Sequence, residues 1–319
     1  MAVQQTTYAT PRADLGVAFE EYSASREQFV ASSILAPLEV PKEAATISVI
    51  TRESLLKDAG AAERESGAYA RIAMYAEDKE YRCKEYGYES ELGDKQRRRY
   101  KSDFDAELAV SQHLWFKLLL RREMRAAALV FNTTTWTGAA LYTDNKATPW
   151  STAASDAIGH VIAAKEKVRL GVGIEPDTLL IGGAALANLL NNTGIRAQFP
   201  GNAKITLSMI RSALASIFGL TKLVVGGQIY DSAKEGQTFV GAEVWDAKYA
   251  MVAVTADAGQ AMTEPCIGRT LMWAEDAADL TVTESYREEQ ARGEIYRVRQ
   301  NVQEKIFDAP FAHLMRIET

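Results

Sequence analysis

Apolar residues recur at two periods along this chain, and the changes of period mark its elements. From Phe104 to about Phe131, the residues Phe104, Leu108, Trp115, Leu118, Leu119, Arg122, Ala126 and Leu129 advance mostly by three or four, the spacing of one helix face. Ser102-Asp103-Phe104-Asp105 begins the run in the manner of a capping box. At 1.5 Å per residue the predicted helix is about 40 Å long, enough to serve as a spine. Residues 14–35 carry a shorter helical pattern on Leu15, Phe19, Tyr22 and Phe29, with Asp14 as a cap. Pro37 and Pro41 then impose an extended path, and Ile47, Val49 and Thr51 alternate as a strand does. A helix is expected over 153–170, ended by Gly171 and Gly173. TLLIG (178–182) reads as a buried strand running into the helix AALANLL, 202–219 as a helix, and LVVGG (223–227) as a strand. Alternating strands and helices predict a compact α/β unit here.

Period two returns near the C-terminus. Leu280, Val282, Glu284 and Tyr286 alternate with Thr281, Thr283, Ser285 and Arg287, and after a turn at Gln290-Ala291-Arg292-Gly293 the alternation continues through Tyr296, Val298, Val302 and Ile306. This predicts a long β-hairpin with charged faces. Alone it would be marginal, so it is expected to lie on the spine helix.

Residues 58–81 fit neither period. They are polar, hold Gly60 and Gly67, and have few apolar side chains. Ordering about 20 such residues costs roughly 20–40 kcal/mol of backbone entropy. Offsetting that takes on the order of 1,000 Å² of buried apolar surface, more than the segment owns. The following stretch, KEYGYESELGDKQRRRYK (84–101), mixes charges of both signs with three tyrosines and shows no hydrophobic stripe. Residues 58–81 are therefore expected to be either disordered or laid on something else, and 84–101 to be held partly from outside.

Composition narrows the functional classes. The chain has 319 residues, 47% of them hydrophobic and 24% charged, with a formal net charge of −6. That balance disfavours a nucleic-acid-binding protein, and no apolar run approaches a membrane span. Cys83 and Cys266 are far apart and form no metal-ligand or redox spacing. They read as buried free thiols. His113, His160 and His313 are scattered, no nucleophile elbow or phosphate loop is present, and Ile181-Gly182-Gly183 and Val225-Gly226-Gly227 read as tight turns. Residues 181–230 contain no acid and only Arg196, Lys204, Arg211 and Lys222 as bases, as a compact core does, whereas residues 52–101 are dense in both signs. The run Arg97-Arg98-Arg99 has three readings: a solvated stretch, a phosphate grip, or contact with an acidic patch on another subunit. The third fits its surroundings best.

The order of parts resembles the major capsid proteins of tailed bacteriophages, which share the Hong Kong-type capsid fold. FVASSILAPLEVPKEAATISVITRESLL (29–56) is similar to that family's N-terminal arm and its strand into an extended loop. CKEYGYESELGDKQRRRY with residues 104–131 is similar to its loop exit and spine helix, and Thr148-Pro149-Trp150, GIEPDTLLIGGAALANLL (173–190) and SALASIFGLTKLVVGGQIYDSA (212–233) to its axial domain. The resemblance implies an α+β fold with an N-terminal arm (1–50), an extended loop (51–90), a peripheral domain in two parts (91–149 with the spine helix, 262–319 with the long hairpin) and an axial domain (150–261). It implies an extended loop laid over a neighbouring subunit, with Arg71, Tyr75, Tyr86, Tyr88, Arg97, Arg98 and Arg99 as subunit contacts. It further implies a shell of hexamers and pentamers around packaged DNA, made in the host bacterial cytoplasm and ending in the virion. Scaffolding, portal and decoration proteins are the implied partners, with no catalytic site, cofactor, metal or membrane. An encapsulin-type nanocompartment shell is the alternative on the same fold, and an α/β enzyme on residues 150–261 the alternative of another class.

Overall fold

The arm opens the chain with a short strand, β1 (Thr10–Pro11), one helical turn, α1 (Ala31–Ile34), and an extended strand, β2 (Pro37–Val40). The computed structural model describes residues 10–12, 15, 28–50, 52, 56–58, 73, 75–100, 105–198, 207–259, 264–275, 280–290 and 292–319. Most of the helix expected over 14–35 lies outside these. Next come β3 (Ala44–Ile50) and β4 (Ala76–Arg82), paired antiparallel as a two-stranded ribbon. β5 (Lys84–Gly93) continues the line of β4, and α2 (Asp94–Tyr100) follows it directly. The spine helix, α3, spans Ala106–Val130, about 37 Å. Its cap is Asp105, whose carboxylate accepts the Glu107 and Leu108 N–H groups.

Beyond the spine come β6 (Tyr142–Asp144) and α4 (Ala157–Val172), capped by Asp156 and ended at Gly173, whose φ of 74° is the left-handed conformation that glycine adopts freely. The α/β alternation then appears: β7 (Thr178–Gly182), α5 (Gly183–Asn191), α6 (Thr193–Ala197), α7 (Leu207–Phe218) and β8 (Lys222–Gly226). A small ribbon, β9 (Ile229–Asp231) with β10 (Gly241–Glu243), precedes β11 (Tyr249–Ala253) and β12 (Gly268–Trp273). The predicted hairpin is β13 (Val282–Glu288) and β14 (Gly293–Ile306), and β15 (Ala312–Arg316) is the last strand.

Two sheets organise these elements. One has the order β6-β15-β11-β7-β8. Its side chains alternate between two cores, as strand geometry demands. Leu179, Ile181, Ala250, Val252 and Met315 pack with Val161 of α4, Leu189 of α5 and Phe218 of α7. The intervening Leu180, Met251, Ala253 and Leu314 pack with Ala126, Ala127 and Val130 of α3 and with α1. The other sheet is built on β14, with β13 and β12 successively along one edge and β5 along the opposite edge. The N-terminal half of α3 covers it through Leu114, Trp115, Leu118 and Leu119, against Tyr296, Val298 and Leu92. The spine therefore lies across both sheets, one half on each.

The structure specifies one sequence expectation and corrects another. Residues 84–93 are held by a distant part of the same chain: their backbone pairs with β14 over ten residues. The segment shows no apolar stripe because the ladder satisfies its backbone while only Leu92 is buried and Tyr86 half-buried. Secondly, β15, grouped in sequence with the hairpin, belongs to the five-stranded sheet, between β6 and β11. Its residues Ala312 to Met315 are buried on both faces, so they leave no period to read.

Candidate assembly surfaces

Among the residues expected to make subunit contacts, Arg71 lies outside the described residues. Tyr75, just ahead of β4, is 67% exposed, and Tyr88 on β5 is 39% exposed. Tyr86 is half-buried under the guanidinium of Arg125, 3.9 Å from its ring centroid. Arg125 is itself held bidentately by Glu304 of β14, at 2.7–3.2 Å. Tyr86 is thus committed within the chain.

The three arginines of α2 divide. Arg97 turns inward and reaches Glu107 of α3, Glu294 at 2.9 Å and the Tyr296 hydroxyl at 3.1 Å. Asp94 is paired as well, with Arg287 at 2.9 Å, which draws its carboxyl below the usual range. Arg98, Arg99 and Lys95 stay exposed. Arg99 stands 5.8 Å from the Tyr100 ring.

The β3–β4 ribbon is a sheet of its own, separate from the two larger sheets. Ile47 and Tyr81 turn into a small core with Cys83, Cys266 and Phe307 at its base, where the Tyr81 hydroxyl donates to the Lys42 carbonyl at 3.0 Å. Both cysteines are buried free thiols, and burial pushes the Cys83 thiol up to about 11. The outer strand exposes Glu77, Asp78 and Glu80.

A buried carboxylate ties arm, spine and five-stranded sheet together. Glu123 on α3 is 1% exposed. Its Oε1 accepts the Val30 N–H at 2.8 Å and the Trp245 indole N–H at 2.6 Å, and its Oε2 accepts the Ala31 N–H at 3.0 Å. Burial pushes its pKa up; the three donors and Arg122 oppose that shift. Trp245 reaches this point because two glycines leave it room. Gly182 and Gly226 pair across β7 and β8. A Cβ on Gly226 would sit 2.1 Å from the Trp245 ring, and one on Gly182 would sit 2.5 Å from the Trp245 carbonyl oxygen. The glycine doublets are thus a slot for an indole as well as turns.

Histidines and clefts show what other chemistry is on offer. His113 is exposed on α3. His160 Nδ1 accepts the Trp150 indole N–H at 3.2 Å, and burial lowers its pKa. His313 lies in β15 with Nδ1 2.8 Å from the Ala140 carbonyl, to which it donates, so that Nε2 accepts the Thr143 hydroxyl at 2.8 Å. Burial brings its pKa down to about 4. The three histidines are not brought together, and among the described residues no group of three His, Cys, Asp or Glu could hold a metal ion. An open cleft of about 540 Å³ lies between the C-terminal half of α3 (Met124, Ala127, Phe131) and Tyr230, Glu243 and Asp246. One oxygen of Glu243 is used there in accepting the Ala184 N–H at the start of α5, at 3.0 Å.

No protein-family model matches the chain. A curated relative, the major capsid protein of Burkholderia phage BcepMu, is 27% identical over 176 residues, which span 54% of this chain and about half (55%) of that protein. Similar solved structures include a phage-related protein from Bordetella bronchiseptica, with a TM-score of 0.74 at 17% identity over 97% of this chain and 98% of that one. A putative prophage capsid protein from Escherichia coli CFT073 has a TM-score of 0.54 at 11% identity, covering 97% and 99%. The SrpI encapsulin of Synechococcus elongatus has 0.53 at 11%, covering 91% and 87%. The arm, the two-stranded ribbon, the spine laid across two sheets and these likenesses together give the chain the Hong Kong-type phage capsid fold.

Proposed function

We propose that this chain is the major capsid protein of a tailed phage, assembling into the hexamers and pentamers of an icosahedral head around double-stranded DNA. The carrying observation is the β3–β4 ribbon. It forms a sheet of its own, and among its described side chains Ile47 and Tyr81 turn into a buried cluster, Ala45 and Lys79 are half-buried and the rest are exposed. A two-stranded ribbon with so little burial is marginal alone, and a neighbouring copy supplies the missing surface. Kinship to a phage major capsid protein agrees with this. The chain acts as a structural subunit, with scaffolding, portal and decoration proteins as its partners and the host bacterial cytoplasm as the place of assembly.

The test is electron microscopy and light scattering of purified protein across salt and concentration, with scaffolding protein supplied. Closed shells or capsomers are expected. A sharp monomer or dimer under every condition refutes the reading. The encapsulin likeness supports a second reading on the same fold, separated by contents: a DNA-filled head for a capsid, a small DNA-free shell around a cargo enzyme for a nanocompartment.

A further inference from the structure

We infer that the cleft between the C-terminal half of α3 and the β9–β10 ribbon is a docking groove for an amphipathic helix of another protein, one that sets a lysine or arginine beside its apolar face. The groove lies within one chain, so the inference holds whether or not the chain builds a shell.

The first observation is the floor. Met124, Ala128 and Phe131 follow one another at steps of four and three along the end of α3 and line the cleft. They share one face over two turns, about 10 Å. Ala128 is exposed between two half-buried larger side chains, so the floor dips where a second helix can approach closely. Phe131 is held edge-on against Trp245, with 5.2 Å between ring centroids, which keeps the groove formed before a partner arrives.

The second is the wall. Tyr230 and Ala242 are cross-strand partners on the β9–β10 ribbon and line the opposite side. In the same segment Ile229, Phe239 and Val240 are 51%, 62% and 54% exposed. Large apolar side chains left open beside a groove, with polar ones at its rim, mark a protein-binding face.

The third is charge. Glu243 and Asp246 line the cleft, and no lysine, arginine or histidine does. One Glu243 oxygen accepts the Ala184 N–H, and Asp246 accepts the Lys248 N–H at 2.9 Å. Neither carboxylate meets a cation at ion-pair distance among the described residues. Burial and the Asp246 charge push the Glu243 carboxyl up, opposed only by the Ala184 amide. Two bases stand beside the cleft but outside its lining: Arg121, whose guanidinium reaches the Met124 sulfur at 4.0 Å, and Lys248. A cation that meets the two acids therefore comes with the occupant.

A copy of this chain does not fit that description. Among the described residues, α4 exposes Ile162 and Leu170, but its bases are committed, Arg169 to Glu166 and Lys165 to the Gly219 carbonyl. α2 and α3 have exposed bases but no large apolar side chain that is exposed. A helix that brings both belongs to a different protein.

The experiment uses the full chain and, as probe, a dye-labelled amphipathic helical peptide of leucine and lysine, alongside its leucine–glutamate counterpart, read by fluorescence anisotropy. The lysine peptide is expected to bind at least about tenfold more tightly than the glutamate one. Glu243→Gln/Asp246→Asn keeps the acceptors for the Ala184 and Lys248 amides and is expected to weaken the lysine peptide about tenfold. Ala128→Trp fills the groove without changing charge and is expected to weaken it at least as much. Glu85→Gln/Glu91→Gln removes two charges from β5 and is expected to leave binding unchanged. Circular dichroism checks that each variant is folded. Should Ala128→Trp unfold, Ala128→Gln replaces it, with a smaller loss expected and no loss overturning the inference. Equal binding of the two peptides overturns it, as does a cleft variant that binds like wild type or an equal loss in the β5 control. Cleft variants that bind the peptide normally but no longer assemble would make the cleft a contact between copies and overturn it too. Wild-type chain that binds the peptide through the cleft but never forms a large particle refutes the shell reading alone.

Discussion

Truncating Glu123 to alanine strands three donors at once: the Val30 and Ala31 amides and the Trp245 indole, held at 2.8, 3.0 and 2.6 Å. Each buried donor left without an acceptor costs about 1–3 kcal/mol, so the gross penalty is on the order of 3–9 kcal/mol. Two effects reduce it. The carboxylate no longer has to be kept in a site where it is 1% exposed, and the vacated space admits water to part of the cluster. Against these, Arg122, itself buried, loses an anionic neighbour. The net expectation is about 4 kcal/mol, in the range for breaking a buried charged network. That is a large share of the roughly 5–15 kcal/mol that holds a domain together. Glu123→Gln keeps the shape and one acceptor but turns an amide donor toward another donor, and should cost about 2 kcal/mol. Urea unfolding of dispersed subunits gives the totals. Hydrogen exchange at Val30 and Ala31 shows where the loss falls, because those amides should open first. A double-mutant cycle with Trp245→Phe should show coupling above about 1 kcal/mol. An alanine variant within about 1 kcal/mol of wild type, or unchanged protection at the two amides, would refute the three-way tie.

Three further outcomes follow from the same structure. Gly226→Ala drives a methyl group into the Trp245 ring, at 2.1 Å, and should cost about 3 kcal/mol of stability in urea titrations. Arg125→Ala strips Glu304 of its bidentate partner and Tyr86 of its stacked cation; about 3 kcal/mol is expected, and Arg125→Lys should recover less than half because an ammonium cannot reproduce the fork. His313 stays neutral in the fold down to about pH 4 while the unfolded chain takes up its proton near 6.5. Stability therefore falls as pH drops from about 6.5 to 4 and levels below, by at most about 3 kcal/mol; His313→Leu should flatten that part of the urea-midpoint profile.

Elements with a covered face and an open one were legible in the sequence. Trp115, Leu118, Leu119, Arg122 and Ala126 repeat at helix spacing because one side of α3 is buried, and Gly173 ends α4 where a left-handed residue is required. The hairpin was legible in part: Tyr296 and Val298 of β14 are buried as their spacing suggests, whereas β13 buries Thr283 and Glu284 in succession and leaves Val282 half-buried. β5 was not legible: a backbone ladder holds it, and ladders carry no side-chain signature. Glu123 was hidden too. It sits beside the apolar stripe as an ordinary helix residue, and its partners Val30 and Trp245 are 93 and 122 residues away. A hint was present in two glycine doublets at the ends of neighbouring strands, since side-chain-free positions at matching heights imply something large passing between them. Arg97 differs from Arg98 and Arg99 only by which side of a seven-residue helix it occupies, which identical letters cannot show.

The position of β15 has a consequence for how the subunit is made. β6 and β11 have no ladder to each other; they meet only through this strand, which is synthesised about 60 residues after β11 ends. At roughly 5–20 residues per second that gap is about 3–12 s. Throughout it the nascent α/β unit carries an open edge on β11 and an unpaired β6. The sheet is completed only when residues 312–316 arrive, so a chain stopped before them lacks the strand that joins β6 to β11. Translation thereby imposes an order on folding, because the α/β unit gains its full sheet well after its helices and earlier strands have been made.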